Sequence, residues 1–134
     1  MTEDKTLGWA LFALRIGLAI LFLVWALDKL INPEHTKAVL GAFYGQNPET
    51  TSDTIPYVLG ALQLVLVLAF AAGKFKTITY GALLLMHLAT TVVSLKMHLD
   101  PFGVPAILFW ANWPILGAAI ALFLLRDRDT FATL

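Results

Sequence analysis

Four runs of apolar residues, each long enough to cross a bilayer, constrain this chain more than any other feature. A helix needs about 20 mainly apolar residues to span a hydrocarbon core about 30 Å thick. Residues 8–27, 55–72, 78–95 and 104–125 meet that need. Lipid offers backbone amides no hydrogen bonds, so the runs are expected to be continuous helices gathered into a bundle. The segment GKFKT (Gly73 to Thr77) is short enough to force the second and third runs antiparallel, and Asp100-Pro101 with Gly103 supplies turn chemistry before the fourth. Composition agrees. Hydrophobic residues make up 59% of the chain and charged residues 13%, against about 45–50% and about 25% in a soluble domain. The expectation is an all-α chain forming one integral membrane domain over 1–134, a four-transmembrane-helix bundle.

The first run ends abruptly in LFLVWALDKLINPEHTK (Leu21 to Lys37). Asp28 and Lys29 fall where the span should meet headgroups, and Asn32-Pro33-Glu34 reads as a helix start: a cap, a proline at the first helical position, an acid in the first turn. Residues 33–44 are therefore expected to form a short amphipathic helix lying in the interface as a lid, with Gly45 stopping it and QNPETTSD as an exposed loop. Asp28 and Lys29 then either orient the span as an interfacial pair or line the mouth of a site under the lid.

Several classes of function drop out. The chain has no cysteine, which excludes thiolate nucleophiles, zinc–thiolate sites and cysteine-ligated clusters within it. Its formal net charge is zero, so nothing points to a nucleic-acid partner. The opening MTEDKTLGW carries two acids and one lysine and precedes an apolar run too long for a cleavable leader, so the first run is expected to remain as an anchor. Lys5, Lys74, Lys76, Arg126 and Arg128 fall on the side of the termini, and Lys29, Lys37 and Lys96 on the other. That bias places both termini in the cytoplasm.

Each span holds one residue that is costly in hydrocarbon: Arg15, Gln63, His87 and Asn112. At about 1.5 Å per residue, Gln63 and His87 lie about 15 Å from the cytoplasmic ends of their helices, Arg15 about 10 Å and Asn112 about 20 Å. One polar cluster across the bundle is geometrically open. Thr90, Thr91 and Ser94 fall broadly on the face of His87. The histidine is either a neutral side chain satisfied across the bundle, a donor to a quinone carbonyl or proton relay, or a haem ligand, though His98 lies about 16 Å along the same helix and cannot share an iron with it. Arg15 either snorkels to headgroups or anchors an anionic ligand or Gln63. Pro114 should free the carbonyl of Trp110 and kink the span, with Trp110 and Trp113 walling a flat ring. A weaker alternative joins His35, His98 and Met97 in a soft-metal site. No residue announces itself as catalytic.

The stretch ALRIGLAILFLVWALDKLINPE (Ala13 to Glu34) sets an early arginine before small and aromatic residues, a charged pair and an Asn-Pro turn. In this stretch, in length, in its four spans and in its long first connection, the chain resembles the DoxX family, with Ala26 and Asp28 where many members have a glycine and a polar residue. The resemblance implies a bacterial inner-membrane protein, in some members a subunit of thiosulfate:quinone oxidoreductases. It suggests a membrane subunit of a redox complex that binds quinone or docks a partner oxidoreductase, with no covalent cofactor. The chain shows no cofactor-binding motif of its own, so electron transfer would need a redox enzyme subunit as partner. The other readings are a structural or assembly subunit, a homo-oligomer among them, and a small solute permease with Arg15 facing a cavity.

Overall fold

The structure is a computed structural model describing residues 2–134. Those residues are helical without strands: α1 (Glu3–Ile31), α2 (Pro33–Tyr44), α3 (Thr54–Ala71), α4 (Lys76–Val93) and α5 (Asn112–Leu124). Short 3₁₀ segments cover Leu95–Leu99, Ala106–Ala111 and Arg126–Arg128. Four segments are long and apolar enough to cross a membrane: α1, α3, α4, and Ala106–Leu124, which joins a 3₁₀ turn to α5.

Local chemistry sets the helix ends. The Thr2 side chain accepts a hydrogen bond from the Lys5 amide at 3.3 Å, and Glu3 and Asp4 occupy the first turn, where orphan N–H groups favour oxygen and negative charge. α1 runs on past Leu27 to Ile31, and its 29 residues make it about 44 Å long. Asn32 stands between α1 and α2, but its side chain makes no capping bond. The break is set instead by Pro33 at the first position of α2. α2 closes at Gly45, whose φ of 71° is a left-handed conformation that a side chain would strain.

The spans form a ring in which α1 packs on α3 and α5, and α4 packs on α5 and more sparingly on α3; α2 lies across α1 and α3. The core comprises Leu11, Leu18, Phe22, Val67, Phe70, Tyr80, Leu83 and Leu122. Large apolar side chains such as Ile20, Val24, Leu62, Val65 and Leu85 point outward and are more than half exposed. In water such a belt would drive aggregation, whereas in a bilayer it is the lipid face. The protein is a multi-pass membrane protein with both termini at one end, where Arg128 reaches Asp4 at 3.4 Å and Phe131 meets Trp9 edge-to-face.

Candidate functional site

The costly residues do not form one cluster. They divide among three places. At the end holding the termini, Arg15 is fully buried and donates to Asp129 Oδ1 at 2.7 Å and to the carbonyls of Phe131 and Ala132 at 2.5 and 3.1 Å. Tyr80 donates to the other Asp129 oxygen at 2.6 Å, and Lys76 donates to its carbonyl. Arg15 therefore neither snorkels nor meets Gln63. The segment after α5 folds back into the bundle and neutralises it. Asp129 escapes a sequence reading because Asp4 and Asp127 are equally placed near this end, and only the fold selects between them.

The second group joins α4 to α5. His87 Nε2 lies 2.9 Å from the Asn112 carbonyl. A carbonyl only accepts, so Nε2 is the donor in this pair, and Nδ1 has no partner among the described residues. Asn112 donates to Ser94 Oγ at 3.1 Å, Ser94 to the Thr91 carbonyl, and Thr91 to the His87 carbonyl. Trp25 stacks on the imidazole at 6.2 Å and Phe22 meets it edge-on at 6.1 Å. Thr91 and Ser94 thus join His87, while Thr90 turns to a different space.

That space is the third place, beneath α2. A cavity of about 420 Å³ lies between α1, α2, α3 and α4, within the range of about 300–1,000 Å³ usual for ligand sites. Phe22, Trp25 and Lys29 line it from α1, a set at i, i+3 and i+7 on one helix face. Gln63 faces it from α3, Thr90 from α4, and Thr36 and Tyr44 from the lid. Gly60 sets the closeness of α1 and α3, since a Cβ there would stand 2.9 Å from the Lys29 Cβ. Gln63 comes one turn later, about 4.5 Å deeper.

The polar groups of this cavity are poorly satisfied from within the protein. Gln63 and Thr36 are 5% and 6% exposed, and neither side chain makes a hydrogen bond to another described residue. Lys29 donates only to the Trp25 carbonyl, at 3.3 Å. Thr90 donates to the Met86 carbonyl and keeps its acceptor lone pairs free. The arrangement offers an ammonium, an amide and hydroxyls around a space walled by aromatic rings.

The lid is tied at several points. Asp28, at the end of α1, meets His35 Nδ1 at 2.5 Å at the mouth of the cavity. Lys37 pairs with Asp53 and, at 3.0 Å, with Glu34. Asp53 first and Glu34 second hold the Lys37 ammonium above its usual range, against the opposing effect of burial. Lys96 donates to the Ala42 carbonyl and lies over the Phe43 ring.

The remaining sequence candidates lie away from the cavity. Trp113 donates to His98 Nε2 at 3.1 Å and Trp110 packs edge-on against the same ring at 4.6 Å, both half-exposed on the bundle surface. Pro114 follows closely on the change from 3₁₀ to α-helix within the fourth span. It sits in the first turn of α5, where a missing N–H costs no helical bond, and Trp110 belongs to the preceding 3₁₀ segment. His35 and His98 have separate partners, and among the described residues no group of three or more His, Cys, Asp or Glu side chains could hold a metal. Sequence reasoning missed Trp25, one turn before Lys29, and Thr36, which shares the face of α2 bearing Val39 and Leu40. Helix spacing marks both.

Against known proteins, the family model described as methylamine utilisation protein MauE matches residues 7–102. This corrects the resemblance to the DoxX family, which rested on a short stretch of the first span and on features shared by four-span chains, whereas the MauE match runs through residue 102. No curated protein and no solved structure matches the chain.

Proposed function

The chain belongs to the MauE family of methylamine utilisation proteins, and from that premise we propose that it is a membrane component of methylamine use that holds a quinone ring in the cavity under α2. One observation carries the reading: the Gln63 and Thr36 side chains face the cavity and make no hydrogen bond to another described residue, beside the half-buried Lys29, in a space walled by Trp25, Phe22 and Tyr44. A quinone offers two carbonyl oxygens on a flat ring, one for the Lys29 ammonium and one for the Gln63 amide, and its face suits Trp25. Every residue lining the cavity falls within the matched range.

The chemistry of methylamine supports a quinone. Oxidative opening of its carbon–nitrogen bond with water yields formaldehyde, ammonia, two electrons and two protons. A quinone takes up the electrons and protons as quinol. The oxidation itself belongs to a partner oxidoreductase docked on this chain in the bacterial inner membrane, with the termini of this chain in the cytoplasm. For Arg15, Asp129 and Tyr80 the reading is structural, because Arg15 and Tyr80 both donate to Asp129.

Two measurements test the proposal. In phosphatidylcholine nanodiscs the protein should bind a benzoquinone bearing a ten-carbon chain saturably, and Gln63→Leu should weaken that binding about tenfold, the worth of about 1.4 kcal/mol. A strain lacking the chain should lose growth on methylamine as nitrogen source and keep growth on ammonium. Absence of saturable binding removes the quinone, and unimpaired growth on methylamine removes the physiological role.

A further inference from the structure

The cavity under α2 is open from the side. Near the turn that joins them, α3 and α4 close tightly, with Phe70 and Tyr80 rings 4.9 Å apart. On the lid half they part. Leu62 and Leu66 border a gap of about 260 Å³ that shares Lys29, Leu59, Gln63 and Met86 with the main cavity. Leu62 is 65% exposed and Leu59 40%, so the gap leads from the Gln63 amide to the lipid face of the spans. Beyond Gln63 and Lys29 its walls are aliphatic side chains and the thioether of Met86. Water has too few partners to occupy such a slot, whereas a hydrocarbon chain fills it with dispersion contacts. The other opening, toward the outer surface, is of the opposite character. It is bordered by Asp28, Lys29 and His35, with Asp28 and His35 bridged at 2.5 Å.

We infer that the cavity is loaded sideways from the bilayer through the seam between α3 and α4, so that its ligand is a membrane-dissolved amphiphile whose polar ring lies at Lys29 and Gln63 and whose alkyl or isoprenoid tail lies across Leu62 and Leu66. This rests on the reading that the cavity holds a ring ligand, and it adds the route and the tail. The seam then sets specificity: a ring without a tail forgoes the aliphatic contacts and pays the full cost of leaving water for a lidded site. Leu62, which touches neither ring position, becomes a residue that discriminates between tailed and tailless ligands.

The full-length protein in phosphatidylcholine nanodiscs can be tested with two photoreactive benzoquinones, one with an azide on the ring and one with the azide at the end of a ten-carbon tail. Cross-linked residues are then mapped by mass spectrometry. The ring azide should label around Trp25, Thr36 and Gln63, and the tail azide around Leu62 and Leu66, both competed by excess unlabelled tailed quinone. Leu62→Trp should weaken the tailed quinone at least tenfold and a tailless ring less than twofold. Labelling by the tail azide at Asp28, His35 or α2 would leave the ring site standing and overturn the seam. Tail-azide labelling of the seam that excess phospholipid removes and excess quinone does not would assign the gap to a bound lipid and likewise overturn it. No competed ring labelling would remove the ring reading and this inference together.

Discussion

The two ends of the bundle handle buried polarity in opposite ways. At the end holding the termini, Arg15, Asp129, Tyr80 and Lys76 satisfy one another and the carbonyls of the final segment, and Gly8 and Gly73 leave room for Phe131 and Thr133 to seal it. At the lid end, Gln63, Thr36 and Lys29 surround space with hydrogen-bonding capacity to spare. A polar group in a low-dielectric interior is costly unless paired. The closed end has spent its polar groups on holding the fold, and the open end has kept them for something the chain does not itself contain. The His87–Asn112–Ser94 link between α4 and α5 resembles the closed end: each is bonded within the protein and leaves one buried nitrogen without a partner among the described residues, His87 Nδ1 here and Arg15 Nε there.

That contrast can be broken by mutation, and the largest effect belongs to the closed end. Asp129→Ala strands a fully buried guanidinium. Removing one partner of a buried pair costs about 3–5 kcal/mol, so thermal unfolding in detergent, followed by tryptophan fluorescence, should show a large drop in Tm. The double replacement Arg15→Leu with Asp129→Leu should recover much of the loss. A small drop for Asp129→Ala alone would mean that the ion pair does not hold the fold.

Gly60 and Gly8 sharpen the comparison at intermediate size. A methyl at Gly60 meets the Cβ of Lys29, which sits on the helix backbone and cannot swing aside, so Gly60→Ala should force α3 from α1 and cost about 1–3 kcal/mol. A methyl at Gly8 meets the tip of the Phe131 ring, which can rotate away with its segment. Gly8→Ala should cost less in Tm and instead expose the residues after Arg128 to carboxypeptidase. Equal Tm losses without that exposure would contradict the packing described for both ends.

Gln63→Leu should act in the reverse direction to Asp129→Ala. Without ligand it should leave Tm unchanged or raise it, since an unpaired amide is replaced by an apolar group. A Tm loss as large as that of Asp129→Ala would show that Gln63 is structural. The smallest effect concerns the lid tether. In the folded protein Asp53 and Glu34 raise the Lys37 pKa above the ordinary lysine value of 10.5. Its contribution is therefore complete below pH about 10.5 and fades as the pH climbs through the raised value. Amide exchange of α2 should stay constant up to that point and quicken above it beyond the intrinsic rate increase, and Lys37→Met should abolish the step.

Much of this architecture was legible in the residues. Apolar runs of membrane length dictate helices wherever water cannot reach the backbone, and Asn32-Pro33 with Gly45 bounds the lid because proline and left-handed glycine act locally. The need for partners at Arg15, Gln63, His87 and Asn112 was legible too, because hydrocarbon taxes each of them by type alone. Which partners they found was decided elsewhere. Asp129 reaches Arg15 across 114 positions, Trp25 covers His87, and Gln63 is left facing a cavity because α2 folds over it and α3 parts from α4. Sequence fixes what each side chain requires, since that is a property of its atoms. The tertiary structure alone decides whether the requirement is met from within or left for a ligand, since that depends on distances between elements that no local pattern encodes.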